Sequence, residues 1–175
     1  YTSNEIIETD GTNGTMWTEF YKTIYNSNSV IEGINGSTTL TAAKTKQWIA
    51  EAKFLRAFCY FYMTNIWGDV PLVLTTNVDQ SALAPRTSQT EVYNQIVLDL
   101  KAAEADLPTT YSGYNSQRIR ATKWAAQALL ARVNLYLGNN TEAATYASSV
   151  ISQTGTYKMI TSLTSTNSPF IAENT

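Results

Sequence analysis

The sequence predicts an all-α fold in which helices pack side by side. Apolar residues recur at steps of three and four over most of the chain, which is the period of an α-helix. The stretch over residues 48–67 is so rich in apolar side chains that a helix there must be buried on more than one side. Small residues recur where two successive helices would touch. This pattern is typical of tetratricopeptide-like helix pairs.

The first two helices follow from their apolar stripes and end signals. We expect a polar loop over residues 1–15, then a helix over 16–34 with one apolar stripe. Thr41 can cap the second helix, which runs to about Trp67. This second helix carries two apolar stripes. We therefore expect neighbouring helices on both of its sides.

The rest of the chain alternates loops and shorter helices. Pro71 forces Val70 into an extended conformation, and a loop then continues to Arg86. Ser88 and Glu91 have the spacing of a capping box and begin the third helix. The third helix is predicted to end at Pro108. Two further helices are predicted over 121–137 and 141–153, followed by a loop-rich tail over 156–175.

Composition excludes several classes of function. The chain has no histidine, so it cannot form a Ser-His-Asp triad or a zinc site that contains histidine. The formal net charge is −2, which argues against a nucleic-acid partner. Cys59 is the one cysteine and lies in the apolar second helix, where we expect it to act as a small apolar residue.

We expect the charged residues within the predicted helices to have structural roles. Arg56 interrupts an apolar helix, and a buried guanidinium needs a carboxylate partner. We expect that partner to be Glu51 or Asp69. Three acids are predicted to lie on the solvated face of the third helix, and these are Asp99, Glu104 and Asp106.

Candidate ligand-binding residues lie in the loops. Aromatic rings with a polar edge suit sugars, and rings outside the helices are the better candidates because helical rings are expected in the core. Glu5 and Glu8 could accept hydrogen bonds from ligand hydroxyls, or act as a glycosidase pair. Because nothing nearby would separate their pKa values, the enzyme alternative is disfavoured. The loop aromatics in question are Tyr1, Tyr111 and Tyr114.

Four segments of the chain, taken in order, resemble the SusD/RagB-like nutrient-binding lipoproteins of the Bacteroidetes outer membrane. The most recognisable segment is Ala-Glu-Ala-Lys-Phe-Leu-Arg-Ala at 50–57, followed by Trp-Gly-Asp-Val-Pro-Leu-Val at 67–73. The other segments lie at 17–31, 85–100 and 120–136. The resemblance implies a right-handed α-α superhelix of divergent tetratricopeptide-like pairs with loop-rich insertions. It also implies that residues 1–175 form one helical-repeat domain of a larger protein.

The resemblance also implies a function. Such proteins capture oligosaccharides without catalysis, at the cell surface on the outer membrane, together with a SusC-like TonB-dependent transporter. They are anchored through an N-terminal lipid, which this fragment would not itself carry, and some family members hold calcium. Here we expect no cofactor. The family places ligand residues in the loop before the first repeat helix, which adds Asn4 and Glu5 to the candidates. The alternative is a generic tetratricopeptide-type scaffold that binds another protein.

Overall fold

The chain folds into a stack of helices that follow one another in sequence order. The computed structural model describes residues 11–35, 37–112 and 117–157. α2 packs between α1 and α4, α4 packs on α5, and α5 packs on α6. The predicted all-α fold class is confirmed. The helices are α1 (Gly11–Asn35), α2 (Ala42–Trp67), α3 (Val78–Ser81), α4 (Gln89–Asp106), α5 (Lys123–Tyr136) and α6 (Asn140–Ile151).

Capping residues close to the helix ends fix most of the helix boundaries. The Thr41 hydroxyl accepts a hydrogen bond from the Lys44 amide at 3.4 Å, so it caps α2 as predicted. At the other end of α2, Gly68 adopts a φ of 73°, a conformation that favours glycine. Ser88 caps α4 by accepting from the Glu91 amide at 3.3 Å. The Glu91 carboxylate then accepts from the Ser88 hydroxyl at 2.7 Å, which completes a variant of the capping box.

Two predictions about the loops were wrong. α1 begins at Gly11, so the loop predicted for residues 1–15 does not include 11–15. The cause is tertiary: the Asn13 side-chain oxygen accepts from the Trp67 indole at 2.9 Å, which holds the first turn of α1 against the end of α2. The loop predicted to continue to Arg86 contains the one-turn helix α3, capped by Asn77.

A short two-stranded sheet joins the two ends of the segment that connects α2 to α4. β1 (Val70–Pro71) pairs antiparallel with β2 (Arg86–Thr87). The extended conformation at Val70 was predicted from the proline that follows it, but the pairing was not. Side chains of the helices hold the segment after β1, because the Tyr60 hydroxyl accepts from the Val73 amide at 2.7 Å and donates to the Val73 carbonyl at 3.0 Å.

The main core lies on the faces of α2 and α4 that meet. As predicted, α2 has helices on both sides, and Cys59 is buried among apolar side chains. Leu55, Phe58 and Ile66 belong to the two apolar stripes of α2 and yet remain exposed. The largest fully buried apolar side chains are Tyr60, Ile24, Met63, Ile96, Leu100 and Leu130.

A buried ion pair lies within this core and links three helices. Arg56 on α2 donates two hydrogen bonds of 2.8 Å, one to each carboxylate oxygen of Asp99 on α4. Its third donor reaches the Asn28 side-chain oxygen on α1 at 2.8 Å. The Asn28 amide in turn donates to the carbonyls of Val73 at 3.1 Å and Thr75 at 3.3 Å. The network therefore fixes α1, α2, α4 and the segment after β1 relative to one another.

The predicted partners of Arg56 were wrong. Asp99 is its partner and is buried, so the solvated position predicted for Asp99 was also wrong. Glu51 instead pairs with Arg120, whose Nε donates to Glu51 at 3.0 Å. Asp69 accepts from the Gln89 amide at 2.9 Å and so helps to begin α4. These pairings depend on the relative rotation of helices that are distant in sequence.

Stability is expected to fall as the pH rises above about 8.5, the pKa of a thiol in the unfolded chain. Burial raises the pKa of the Cys59 thiol to about 11, and burial likewise raises the pKa of the Tyr60 and Tyr21 phenols above the usual value for tyrosine. In the unfolded chain a thiol loses its proton near pH 8.5 and a phenol near pH 10. The folded state therefore keeps protons that the unfolded state releases, so unfolding becomes more favourable with rising pH.

Urea titrations between pH 7 and pH 11 test this pH dependence. The free energy of unfolding should be constant up to the pKa of the unfolded thiol and then decline. A value that stays constant over the whole range would contradict the buried, neutral state of these three groups.

Candidate binding surface

One of the five predicted ligand-binding residues lies in the described part of the chain. This residue is Tyr111, in the connection between α4 and α5. The other four, together with Glu8, lie outside the described residues, so their predicted roles remain predictions. The four are Tyr1, Asn4, Glu5 and Tyr114.

Tyr111 belongs to a small aromatic cluster with the end of the described chain. Its hydroxyl lies 2.9 Å from the hydroxyl of Tyr157, which follows α6. The Tyr157 hydroxyl also lies 3.2 Å from the Thr122 hydroxyl, at the start of α5. The hydroxyls of these three residues therefore form a chain of hydrogen bonds that joins the α4–α5 connection to the end of α6.

Arg118 completes this cluster. Its guanidinium carbon lies 5.8 Å from the ring centroid of Tyr111 and 5.4 Å from that of Tyr157. These distances are within the range of cation–π attraction. Arg118 also donates to the Thr156 carbonyl at 2.6 Å. We call Tyr111, Arg118, Thr122 and Tyr157 the Tyr111 cluster.

Hydrogen bonds at the two ends of the connection hold the Tyr111 cluster in place. The Trp124 indole, in the first turn of α5, donates to the Thr109 carbonyl at 2.9 Å. The Lys123 amide donates to the Pro108 carbonyl at 2.9 Å. Because both bonds tie the connection to the start of α5, the described residues of the connection have a fixed anchor on the helical stack.

The phenol of Tyr157 stays protonated at neutral pH. Burial raises its pKa, and the hydrogen bond with Tyr111 adds to the increase. The Thr122 hydroxyl and the Arg118 charge act in the opposite direction without reversing the shift. The Tyr111 cluster therefore combines hydroxyl groups, aromatic rings and one guanidinium, which are groups able to make hydrogen bonds and ring contacts with a ligand.

Tyr111 was predicted from sequence as a ligand contact because it is an aromatic residue in a loop, and this role stays a prediction. Its neighbours Arg118 and Tyr157 were not predicted. Tyr157 lies 46 residues after Tyr111, and no local pattern joins the two. In the described ranges, no group of three or more His, Cys, Asp or Glu residues is arranged to hold a metal ion. Also within those ranges, no helix is both long enough and apolar enough to cross a bilayer.

A family model described as starch-binding and associating with the outer membrane matches residues 1–135. The chain belongs to the SusD-like family. Among its relatives, a SusD-like protein of Bacteroides ovatus is 37% identical over 123 residues, which are 68% of this chain and 21% of that protein. The starch-binding protein SusD of Bacteroides thetaiotaomicron is 30% identical over 138 residues, which are 77% of this chain and 24% of SusD.

Solved structures share the helical stack. A SusD-like protein of Bacteroides fragilis superposes with a TM-score of 0.77 at 31% identity, covering 89% of this chain and 30% of the other. A structure described as being with xylogluco-oligosaccharide superposes with a TM-score of 0.78 at 31% identity, covering 88% of this chain and 32% of the other. The chain spans between 21% and 28% of the length of the curated SusD-like relatives it matches. The relatives are therefore several times longer than the region they share with this chain.

Proposed function

We propose that this SusD-like chain is chiefly the helical scaffold of a non-catalytic glycan-binding component of an outer-membrane uptake system. Membership of the family is the observation that carries the proposal, because the family model and one relative are named for starch binding and one solved neighbour is described with xylogluco-oligosaccharide. The composition agrees, since 15% of residues are charged and 11% are aromatic. Neutral hydroxyls and rings are the groups that sugars require.

The Tyr111 cluster supplies part of the sugar contact in this proposal. Tyr111 is held by the Tyr157 hydroxyl at 2.9 Å, so its ring is fixed before any ligand arrives. A fixed ring loses little conformational entropy when a sugar packs on it, which favours binding. Because the chain covers less than a third of the solved relatives, we expect the remaining contacts to come from outside it and binding here to be weak.

Replacing Tyr111 with alanine is expected to weaken sugar binding by roughly two- to tenfold. This range corresponds to the loss of one aromatic contact worth about 0.5–1.5 kcal/mol. NMR titration with malto- and xylogluco-oligosaccharides measures such weak affinities. The matched control is Tyr136→Ala, which removes an exposed ring on α5. Equal effects of the two substitutions would contradict a specific role for Tyr111.

The proposed partner in the membrane is a SusC-like TonB-dependent transporter, and the proposed location is the outer-membrane surface through a lipid anchor in the full-length protein. Affinity purification from outer membranes of the source bacterium is expected to recover that transporter. Recovery of a soluble partner with no transporter would favour the rival proposal, a tetratricopeptide-type protein scaffold.

A further inference from the structure

A cavity of about 440 Å³ lies between the first half of α2 and the connection that leads into α5. Its polar lining contains two guanidiniums, those of Arg118 and Arg120, and one carboxylate, that of Glu51. Its apolar lining contains the partly buried ring of Phe54 together with aliphatic side chains. Pockets of this size that combine an aromatic ring with a few charged groups are typical of small-ligand sites.

The charges that line this cavity do not cancel. Glu51 is buried and pairs with Arg120, whose Nε donates to it at 3.0 Å. The Glu51 carboxylate also accepts from the Gln47 side-chain amide at 3.1 Å. Among the described residues, no carboxylate forms an ion pair with Arg118. The cavity therefore carries one excess positive charge, which is that of Arg118.

Arg118 keeps donors for a ligand although it contacts two tyrosine rings. A guanidinium has five N–H donors. Within the described ranges its one hydrogen-bond acceptor is the Thr156 carbonyl, reached by Nη2 at 2.6 Å. The contacts with the rings of Tyr111 and Tyr157 depend on the positive charge and use no N–H donor. These contacts therefore hold the guanidinium at the edge of the cavity and leave N–H groups for an anion.

The surroundings of the cavity add to its positive potential. The start of α2, the end of α4 and the start of α5 meet here, because residues of all three helices share a small core around Ala103. Residues 42–54, 100–106 and 123–129 contain the lysines 44, 46, 53, 101 and 123 and the acids 51, 104 and 106. A chain with a formal net charge of −2 thus has an excess of cations at this end, which favours an anionic ligand.

We propose that this cavity binds the carboxylate-bearing ring of a uronic acid in an acidic oligosaccharide. The proposal rests on the proposed glycan-binding function and adds the class of sugar. A pyranose ring that packs on Phe54 has its C6 carboxylate near the mean plane of the ring, so this group points sideways toward the polar lining. There the Arg118 guanidinium donates charge-assisted hydrogen bonds to it.

NMR titration of the intact chain with tetragalacturonate and with its methyl ester tests the proposal, because the two ligands differ in charge and share the same sugar. We expect the acid to bind about two- to fivefold more tightly than the ester at low salt, the range for an exposed ion pair. The ratio should approach one near 1 M salt, where charges are screened within about 3 Å.

Two arginine substitutions of equal charge locate the effect. Arg118→Gln should abolish the preference for the acid and leave the affinity for the ester unchanged. The matched control is Arg132→Gln, which removes an exposed guanidinium of α5 outside the cavity and should keep the preference. If Arg118 only held the tyrosine rings in place, its replacement would weaken both ligands equally, and the proposal would be wrong.

Equal affinities of the wild-type chain for acid and ester would overturn the uronate proposal. Binding of malto-oligosaccharide under the same conditions would then show that the glycan-binding function stands without it. A preference that survives Arg118→Gln would place the acid elsewhere and overturn the proposal as well. A sulfated galacto-oligosaccharide that binds more tightly than tetragalacturonate would contradict the choice of a carboxylate and assign the cavity to sulfate esters.

Discussion

Replacing Asp99 with alanine is expected to lower the free energy of unfolding by about 3–5 kcal/mol, which is the usual cost of leaving one member of a buried ion pair without its partner. The side chains of Arg56 and Asp99 are only 7% and 3% exposed, so water cannot replace the lost carboxylate. Arg56 would keep its 2.8 Å bond to Asn28, but this neutral oxygen cannot balance the charge. Urea unfolding monitored by circular dichroism measures the loss.

The matched control for Asp99 is on the same helix. Asp106 lies exposed at the end of α4, so Asp106→Ala should change the free energy of unfolding by less than about 0.5 kcal/mol. Asp99→Asn keeps the shape of the side chain but removes its charge, and it should also be strongly destabilising. If Asp99→Ala cost no more than Asp106→Ala, the pair would not be holding the helices together.

Replacing Leu100 with alanine is the second substitution with a large expected effect. Leu100 is fully buried in the core between α2 and α4, so its truncation should cost about 2–5 kcal/mol through lost burial and the cavity that remains. Leu98, two residues earlier on α4, is 63% exposed. Leu98→Ala should therefore cost less than about 0.5 kcal/mol.

The comparison of Leu98 with Leu100 tests the orientation of α4 directly. Both substitutions remove the same atoms from the same helix, so differences in helix propensity cancel. Thermal unfolding compares the stabilities of the two variants, and the Leu100 variant should melt at a clearly lower temperature than the Leu98 variant. Similar melting temperatures for the two variants would mean that α4 does not present this face to α2.

The helices could be predicted from sequence because their causes are local. Thr41 and Ser88 cap α2 and α4 through contacts with residues three positions further on. Gly68 ends α2 through its own backbone conformation. The periodicity of apolar residues predicted where the longer helices lie along the chain. The start of α1 was missed because it depends on Asn13 and Trp67, which are 54 residues apart.

The pairings between helices could not be predicted in the same way. Arg56 was expected to pair with a carboxylate. Its partner Asp99 is 43 residues away, and the pairing depends on how α4 is rotated against α2. Leu55 and Phe58 look like core residues by composition and period, yet the structure leaves them exposed. Sequence alone gives the apolar stripe and cannot say whether this chain supplies a cover for it.

At the candidate site, too, local features could be predicted from sequence and contacts between distant residues could not. Tyr111 could be proposed as a sugar contact because it is an aromatic residue in a loop, whereas the hydrogen bond between its hydroxyl and that of Tyr157 could be seen only in the fold. The SusD-like resemblance led to the family, and the family model then confirmed it over residues 1–135.

Calorimetric titration of the chain with starch- and xyloglucan-derived oligosaccharides tests the central claim, which is binding by a rigid scaffold without chemistry. We expect weak binding heats consistent with a millimolar Kd, about −4 kcal/mol, and a return to baseline after each injection. A heat flow that persists after mixing and scales with chain concentration would show turnover of the glycan and contradict the account.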